Sequence, residues 1–216
     1  MASTPVVAED ESLHRLDERL MTRPLIIHQY RSIDSTQKEA RRQVASCDRR
    51  KITLWVADEQ TQGMGTRGRR WLSPAGGNLY MTLLLFWPER PFAWPHIAQV
   101  TSLTLAETLG AMAIQLRLKW PNDLFYGGGK VGGVLAELLS EEGAIALLLG
   151  VGLNLHMESS LLASIDQPAS CLFPRGTALS GMELLYPFME RLLPALEELF
   201  ARGFSSFAAA YEQWSS

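Results

Sequence analysis

The sequence is poor in cysteine and has no long hydrophobic run. Its two cysteines, Cys47 and Cys171, lie far apart without a C-x-x-C motif, and its four histidines show no metal-ligand spacing. These absences argue against a disulfide-rich scaffold and against a zinc site. The longest strongly apolar run, Ala144–Leu155, has 12 residues, whereas a transmembrane helix needs about 20. We therefore expect no membrane partner.

Basic charge is not in excess either. The chain has 20 lysines and arginines against 23 acidic residues, which gives a formal net charge of −3. Nucleic-acid-binding domains usually carry a basic surplus, so no nucleic-acid partner is expected. The N-terminus lacks the basic segment and apolar stretch of a secretory signal, and unpaired cysteines suit a reducing compartment. These features predict a cytoplasmic protein.

What is present is the composition of a soluble globular protein, with 47% hydrophobic and 20% charged residues in a chain of 216. Residues 1–22 are polar and charged and are expected to form a flexible tail. No linker, repeat or low-complexity segment interrupts residues 23–216. This length fits one domain.

The order of apolar runs predicts an α+β domain with a mixed β-sheet flanked by helices. Strands are expected at Leu25–Tyr30, Ile52–Ala57, Asn78–Trp87, Leu116–Trp120, Leu124–Tyr126, Val131–Leu138 and Ala144–Leu155. Helices are expected from a capping box of Thr36 with Glu39, over Pro95–Ala113, and from a capping box of Ser180 with Glu183 towards Phe200. Pro187 and Pro194 should kink or split the last helix, and Gly203 should end it.

A glycine-rich loop fits the pattern G-x-G-x-x-G at Gly63–Gly68. A dinucleotide-binding loop would open a helix, but Pro74 and a strand follow instead, which argues against that interpretation. The loop carries potential anion ligands and one planar ring, namely Arg67, Arg69, Arg70 and Trp71. Phosphate binding and a solvated charged loop are both open on this segment alone.

Two further segments carry candidate site residues. Lys119 to Asp123 end a strand with a cation, an amide at Asn122 and a carboxylate, which suits a hard cation such as Mg²⁺ or a simple turn. Lys130 lies between glycines at the start of a strand, where it could reach into a cleft or protect a sheet edge.

Together these segments resemble the catalytic domain of biotin protein ligases, with the class II aminoacyl-tRNA-synthetase-like fold of biotin and lipoate ligases. The resemblance covers about 120 positions, from residue 34 to residue 154. Its pieces are Asp34–Thr36, Ala57–Gly63, Gly65–Trp71, Ser73-Pro74, Gly77–Tyr80, Lys119–Leu124, Lys130–Glu137 and Gly150–Asn154.

The resemblance implies a two-step reaction that uses ATP and Mg²⁺. The carboxylate of biotin attacks the α-phosphate of ATP to give biotinyl-5′-AMP and pyrophosphate, and a lysine of a biotin carrier domain then attacks the mixed anhydride. The carrier subunit of acetyl-CoA carboxylase is the usual target in the family. No enzyme nucleophile is needed, which fits the absence of a Ser-His-Asp or Cys-His pattern. Monomer and homodimer are both open.

The resemblance also implies roles for individual residues. Catalytic roles fall on Lys130, Arg69 and Lys119. Biotin contacts fall on Ser35, Thr36, Gln60, Gly63, Met64, Lys130 and Gly133. Contacts to ATP or the adenylate fall on Gly65, Thr66, Arg67, Arg69, Trp71, Asn122, Asp123 and Asn154. Asp123 is also the expected Mg²⁺ ligand.

The chain departs from the family pattern in its loop and its ends. The usual loop reads Gly-Arg-Gly-Arg-Arg-Gly-Arg, and Met64 and Thr66 replace two of its arginines. In the family the arginine at the Thr66 position helps retain the adenylate, so we expect weaker retention here. Neither an N-terminal helix-turn-helix nor a C-terminal β-barrel is expected, and repression of DNA is therefore not expected.

Two competing functions share the architecture. A lipoate ligase or octanoyl transferase is the nearer one, but Cys47 and Cys171 lie outside every motif, which argues against an acceptor cysteine. The other is a degenerate protein that binds biotin or an adenylate without ligating it. The substitutions at Met64 and Thr66 are the support for that alternative.

Overall fold

An eight-stranded mixed β-sheet forms the centre of the fold. The computed structural model describes residues 6–7, 23–87, 94–141, 144–173 and 179–215. The strands are β1 Val6–Val7, β2 Leu25–Ile33, β3 Ile52–Gln60, β4 Leu79–Trp87, β5 Arg117–Lys119, β6 Asp123–Tyr126, β7 Gly129–Glu141 and β8 Ala144–Leu153. The helices are α1 Thr36–Gln43, α2 Ile97–Gly110, α3 Ser159–Ala163, α4 Gly181–Arg202 and α5 Ala208–Ser215.

Across the sheet the strands run in the order β1-β2-β3-β4-β8-β7-β6-β5. Strands β2 and β3 pair in parallel, and the other neighbours pair antiparallel. Helix α1 is the connection between the two parallel strands. The predicted α+β class with a mixed sheet is confirmed.

Helices cover both faces of the central strands, which explains why these strands read as uninterrupted apolar runs. On one face α2 and α4 pack on residues such as Leu83 and Leu85. On the other face Ala40 of α1 and Val44, which directly follows the helix, pack on Leu84 and Phe86. The alternation along β4 therefore divides its side chains between two separate hydrophobic clusters.

Helix α1 begins one residue earlier than its predicted capping box. Its N-cap is Ser35, whose hydroxyl accepts a hydrogen bond from the backbone N–H of Lys38. The predicted capping box of Thr36 with Glu39 is therefore wrong. The hydroxyl of Thr36 is used elsewhere, because it lies within hydrogen-bond distance of Gln60 and Thr82.

Helix α4 is a single helix of 22 residues despite its two internal prolines. The capping box of Ser180 with Glu183 and the end at Gly203 are confirmed. The predicted split at Pro187 or Pro194 does not occur. Burial of a leucine-rich face against the sheet, with Phe188 fully buried, stabilises the helix against the loss of two backbone donors.

The predicted strands are all present, and three of them, β2, β3 and β7, run at least two residues further than the sequence indicated. Strands β2 and β3 extend to Ile33 and Gln60, which carries the ends of both strands to the start of α1. Of the expected tail, the structure describes Val6–Val7, which pair with β2, and the other residues lie outside the described ranges. Within those ranges, none of the helices has the length and apolarity that a bilayer crossing requires.

Candidate active site

A cavity of about 460 Å³, its mouth included, lies where the start of α1 meets β4, β7 and β8. We call it the first cavity. Its lining is Ser35, Thr36, Gln37, Gln60, Met64, Gly65, Thr66, Trp71, Met81, Thr82, Asn122, Lys130, Gly133, Val134, Leu135, Gly150, Val151 and Gly152.

Four buried polar side chains of this lining, Thr36, Gln37, Gln60 and Thr82, form one hydrogen-bonded group that we call the polar cluster. The backbone N–H of Thr36 donates to Gln60 Oε1 at 2.8 Å, and the hydroxyl of Thr36 donates to the same oxygen at 3.1 Å. The hydroxyl of Thr82 lies 2.9 Å from Thr36 Oγ1 and 3.1 Å from Gln37 Oε1. The cluster thus joins α1 to strands β3 and β4.

The orientation of the Gln60 amide follows from its neighbours outside the cluster. Ser73 Oγ lies 3.1 Å from the carbonyl oxygen of Trp71, which can only accept, so the Ser73 proton points there. Ser73 then accepts from Gln60 Nε2 at 3.0 Å. The carbonyl oxygen of Gln60 consequently faces the cluster.

Acceptors outnumber donors in the polar cluster. Thr36 and Thr82 supply one hydroxyl proton each, and the Thr36 backbone adds one N–H. The acceptors are the two amide oxygens of Gln37 and Gln60 and the two hydroxyl oxygens, most with room for a second bond. Because a buried acceptor without a donor is unfavourable, the cluster suits a ligand that donates N–H groups.

A cation lies at another part of the same lining. Lys130 is 8% exposed, and its Nζ lies 2.5 Å from Asp123 Oδ1 and 5.5 Å from the centre of the Trp71 ring. A Cβ on Gly133 would lie 3.5 Å from Nζ, at ordinary van der Waals distance, so β7 passes directly beside the ammonium group at this glycine. Lys130 can therefore attract an anionic group of a ligand whose far end contacts the polar cluster.

A second cavity adjoins the first on the other side of Trp71 and Lys130, which line both. Its other lining residues are Arg70, Leu72, Asn154, Ser164, Ile165, Asp166, Gln167 and Ala169. Within the described residues, Asn154 Oδ1 and Trp71 Nε1 are buried and have no hydrogen-bond partner. Ordered water, or a ligand with both a donor and an acceptor, can satisfy such buried polar atoms.

A family comparison identifies this architecture. The sequence model of the biotin/lipoate A/B protein ligase family matches residues 30–154. The chain belongs to this family. The match begins in β2, ends immediately after β8, and includes both strands that carry Lys130 and the glycines of the first cavity.

Individual members of the biotin/lipoate ligase family are similar over much of the chain. The bifunctional ligase/repressor BirA of Escherichia coli is 31% identical over 160 residues, covering 73% of this chain and 50% of BirA. The biotin--[acetyl-CoA-carboxylase] ligase of Paracoccus denitrificans is 42% identical over 108 residues, covering 48% of this chain and 45% of that protein. The chain spans about half the length of these curated relatives.

A solved structure of the family has the same fold. The biotin protein ligase of Aquifex aeolicus, in complex with biotin and ATP, superposes with a TM-score of 0.74 at 31% identity. The match covers 88% of this chain and 78% of that one. The fold of the chain is that of a biotin protein ligase catalytic domain.

The structure gathers most of the residues that the family resemblance singled out. The lining of the first cavity includes Ser35, Thr36, Gln60, Met64, Gly65, Thr66, Trp71, Asn122, Lys130 and Gly133. Arg67, Arg69 and Asp123 lie in an adjoining groove that also contains Asn122, and Asn154 lies in the second cavity. The side-chain amide of Asn122 donates to the carbonyl of Val134 at 2.6 Å, which fixes the turn before β6.

Two of the singled-out residues lie elsewhere. Lys119 is exposed and lines neither cavity, and its Nζ lies 5.5 Å from the centre of the Phe125 ring. Gly63 lies beside the first cavity without lining it. A Cβ on Gly63 would lie 2.4 Å from the carbonyl oxygen of Trp71, so the packing of the loop alone requires glycine there.

The donor set near Asp123 fits a metal ion only with help from a ligand. Among the described residues, no group of three or more His, Cys, Asp or Glu side chains could hold a metal ion. Asp123 and the amide oxygen of Asn122 supply oxygen atoms of the kind that Mg²⁺ prefers. Mg²⁺ at this place would take its remaining ligands from phosphate oxygens and water.

Eight lining residues of the first cavity are not among those singled out from the sequence, and they include Gln37, Thr82, Gly150 and Gly152. A Cβ on Gly150 would lie 2.6 Å from Gln37 Oε1, and a Cβ on Gly152 would lie 2.6 Å from Trp71 Nε1. The signal for the glycines was present, because two glycines at alternate positions of a buried strand face the same side. No local pattern distinguishes Gln37 or Thr82 from other residues of a helix or a strand.

Proposed function

We propose that the protein ligates biotin through biotinyl-5′-AMP to a lysine of a biotin carrier domain. The observation that carries this proposal is the acceptor-rich polar cluster in the same cavity as Lys130. Biotin has a carboxylate at one end and a ureido ring with two N–H donors at the other. The cation and the acceptors of the first cavity match these two ends.

The polar cluster favours biotin over the other acids of the family. Lipoate and octanoate end in a dithiolane ring and an alkyl chain, and neither supplies an N–H donor. Either acid would leave the hydroxyl oxygen of Thr82 buried without a donor, which costs about 1–3 kcal/mol. Biotin can donate an N–H to it and adds a carbonyl oxygen that can accept.

The position of Lys130 between the two cavities supports the adenylation chemistry. The carboxylate oxygen of biotin attacks the α-phosphorus of ATP, the bond to the β-phosphate oxygen breaks, and pyrophosphate leaves. Two anions must approach each other, and Lys130 offsets the charge that develops between them. Asp123 orients the ammonium group through its ion pair.

We assign the nucleotide to the second cavity and the groove with Arg67 and Arg69. The unpartnered Asn154 Oδ1 and Trp71 Nε1 suit an adenine ring, which offers both donors and acceptors. The exposed guanidinium groups of the loop can turn towards phosphates. Mg²⁺ supplies additional charge neutralisation on the triphosphate, with Asp123 as its candidate protein ligand.

In the second step the amine of a carrier lysine attacks the carboxyl carbon of the anhydride, the bond to the AMP oxygen breaks, and the amine loses a proton. The names of relatives suggest the carrier subunit of acetyl-CoA carboxylase as the partner. With the ureido ring at the polar cluster, the anhydride carbon would lie at the Lys130 end of the first cavity, where an extended lysine could reach it from the mouth.

The experiment that tests this function is exchange of labelled pyrophosphate into ATP in the presence of biotin, lipoate or octanoate. Exchange with biotin alone supports the proposal, and biotin transfer to a purified carrier domain completes it. Exchange with lipoate or octanoate instead would contradict the choice of acid. A folded protein that exchanges with no acid but binds biotin would establish the binding-only alternative.

A further inference from the structure

The side chain of Gln37 is fixed in direction by groups outside the first cavity. Its Nε2 donates to Glu137 Oε2 at 2.8 Å, and Arg41 donates to the other carboxylate oxygen of Glu137 at 2.6 Å. A carboxylate only accepts, so the amide nitrogen of Gln37 must face Glu137. Its oxygen therefore faces the cavity and Thr82.

The strand pair β7–β8 makes this arrangement possible. Glu137 projects from β7, and Gly150 on β8 leaves the space that the Gln37 oxygen occupies, since a Cβ there would lie 2.6 Å from Oε1. Gln37 is 3% exposed and Thr82 is fully buried. Because both are shielded from bulk solvent, the direction of the amide decides which atoms donate and which accept.

The two glutamine amides together set the polarity of the cluster. Gln60, fixed by Ser73, presents an oxygen to Thr36, and Gln37, fixed by Glu137, presents an oxygen to Thr82. Thr36 directs its proton to the Gln60 oxygen, and Thr82 shares its single proton between the Gln37 oxygen at 3.1 Å and Thr36 Oγ1 at 2.9 Å. The hydroxyl oxygens then face the cavity with free lone pairs.

We propose that Gln37, held by Glu137, is a positioning residue that keeps the polar cluster an acceptor of substrate N–H groups. The inference rests on the proposed function, because it assumes that the acid bound in the first cavity carries N–H donors. A reversed amide would present its NH₂ group to Thr82 and would fill the acceptor position that the substrate needs. Gln37 acts through Thr82, and its effect falls on biotin rather than on ATP.

Four proteins test this role: the wild type, Gln37→Glu, Glu137→Gln and the double swap Gln37→Glu/Glu137→Gln. In Gln37→Glu two carboxylates face each other, the side chain leaves its place, and the KM for biotin in pyrophosphate exchange should rise about tenfold, the effect of one lost hydrogen bond. The KM for ATP should change less than about twofold, since no nucleotide contact is altered. Glu137→Gln should give a smaller rise, because either amide orientation is then allowed.

The double swap is the decisive variant. The amide introduced on β7 can donate to one oxygen of the carboxylate introduced on α1, and the other oxygen of that carboxylate can accept from Thr82, so the original polarity returns. We expect the KM for biotin to recover to within about threefold of the wild type, as for a restored pair in a double-mutant cycle. A merely structural role of Gln37 would not predict recovery in biotin binding with an unchanged KM for ATP.

Gln43→Glu is the matched control. Gln43 lies on the same helix and also donates to a carboxylate, that of Glu39, but it does not line the first cavity. It should leave the KM for biotin unchanged. Melting temperatures of all variants identify any that fail to fold. If Gln37→Glu is one of these, the double swap and Glu137→Gln are compared with the wild type instead.

Calorimetric affinity for biotin gives the same comparison without turnover. If the wild type binds biotin but does not exchange pyrophosphate, the proposed ligation is contradicted. The biotin affinities of the variants still test the role of Gln37 in that case. An unchanged biotin affinity in folded Gln37→Glu would overturn the positioning role. Equal losses for biotin and ATP, or a swap that fails to recover, would overturn it as well.

Discussion

The polar cluster and the arginine-bearing loop belong to one site but are built in opposite ways. Thr36, Gln37 and Thr82 are at most 3% exposed and lie on a helix and a strand of the scaffold. Arg67, Arg69 and Arg70 are exposed and lie on a loop between β3 and β4. The loop is held by its own backbone, with Gly65 N–H donating to the Arg69 carbonyl at 2.7 Å.

The difference separates two tasks. Scaffold residues locked by packing hold a fixed geometry, which suits discrimination between acids. Exposed arginines on a loop can adapt to phosphates that arrive, move and leave. Lys130 combines a property of each region: its side chain is buried, as in the polar cluster, and it is positively charged, as in the loop.

The largest expected effect is that of Lys130→Ala. Removing this buried cation from the first cavity should lower pyrophosphate exchange by about 100- to 1,000-fold, the range for loss of one electrostatic contact to a transition state. Lys119→Ala is the comparison, since Lys119 is exposed and lines neither cavity. It should lower exchange by less than about tenfold, the effect of an exposed charge.

The initial rates of both lysine variants are measured at saturating ATP and biotin, beside their melting temperatures. Loss of Lys130 leaves Asp123 without its ion-pair partner, so a lower melting temperature is expected as well. Lys130→Met, which keeps the length of the side chain, separates lost charge from lost packing. Equal loss in the Lys119 and Lys130 variants would favour the role that the family resemblance gave to Lys119.

Substitutions at the two glycines of β8 should disturb the biotin part and the nucleotide part of the site separately. Gly150→Ala would press on the Gln37 oxygen, and Gly152→Ala would press on the Trp71 ring, at 2.6 Å in each case. We expect Gly150→Ala to raise the KM for biotin and Gly152→Ala to raise the KM for ATP, each about tenfold. Gly152→Ala should have the stronger effect, because an indole ring yields less easily than the end of a flexible glutamine.

Steady-state exchange kinetics with each substrate varied in turn would distinguish the two glycine variants. The same pattern in both, with biotin and ATP affected alike, would contradict the division of the site into an acid part and a nucleotide part.

Thr66→Arg restores one arginine of the usual family loop. Thr66 lines the first cavity, and a guanidinium group there could bind the adenylate phosphate. One charge-assisted hydrogen bond is worth about 1.5–3 kcal/mol, so release of biotinyl-AMP should slow by about tenfold or more. The measurement is the loss of labelled adenylate from the protein after dilution, with Met64→Arg as a parallel variant. Retention for hours by the wild type would contradict the weak retention expected from its loop.

The sequence predicts the fold better than it predicts the polar cluster, and the reason is physical. Strands such as β4 and the motif around Lys130 are marked by local patterns of residues that are close in the chain. The contacts of Gln37 join residues that are far apart in the chain, 45 positions to Thr82 and 100 positions to Glu137. Periodicity contains no information about such pairs.

The capping error at α1 has the same origin. Thr36 and Glu39 have the spacing of a capping box, but the hydroxyl of Thr36 is held by Gln60 and Thr82. Ser35 therefore caps the helix. A tertiary contact at the site overrides a local preference, which is the place where local rules are expected to fail.

The smallest expected effect concerns the ion pair that joins the start and the end of α1. Asp34 accepts two hydrogen bonds from Arg42, and this pairing holds the pKa of the Asp34 carboxyl below its usual value. A carboxyl whose pKa is lower in the folded state stabilises the fold at neutral pH, and this contribution is lost as the pH falls through the folded pKa. Because Asp34 and Arg42 are partly exposed, the pair should contribute at most about 1 kcal/mol.

Arg42→Ala should therefore lower the free energy of unfolding slightly at pH 7 and leave it nearly unchanged at a pH below the folded pKa of Asp34. Urea unfolding at both pH values, with Arg50→Ala as an exposed control on a pair outside α1, provides the measurement. Because the polar cluster is fixed by buried contacts rather than by this surface pair, Arg42→Ala should leave the KM for biotin unchanged. If Arg42→Ala raises the KM for biotin, the geometry of the polar cluster depends on the ion pair of Asp34 with Arg42. The cluster would then be less rigid than its burial indicates.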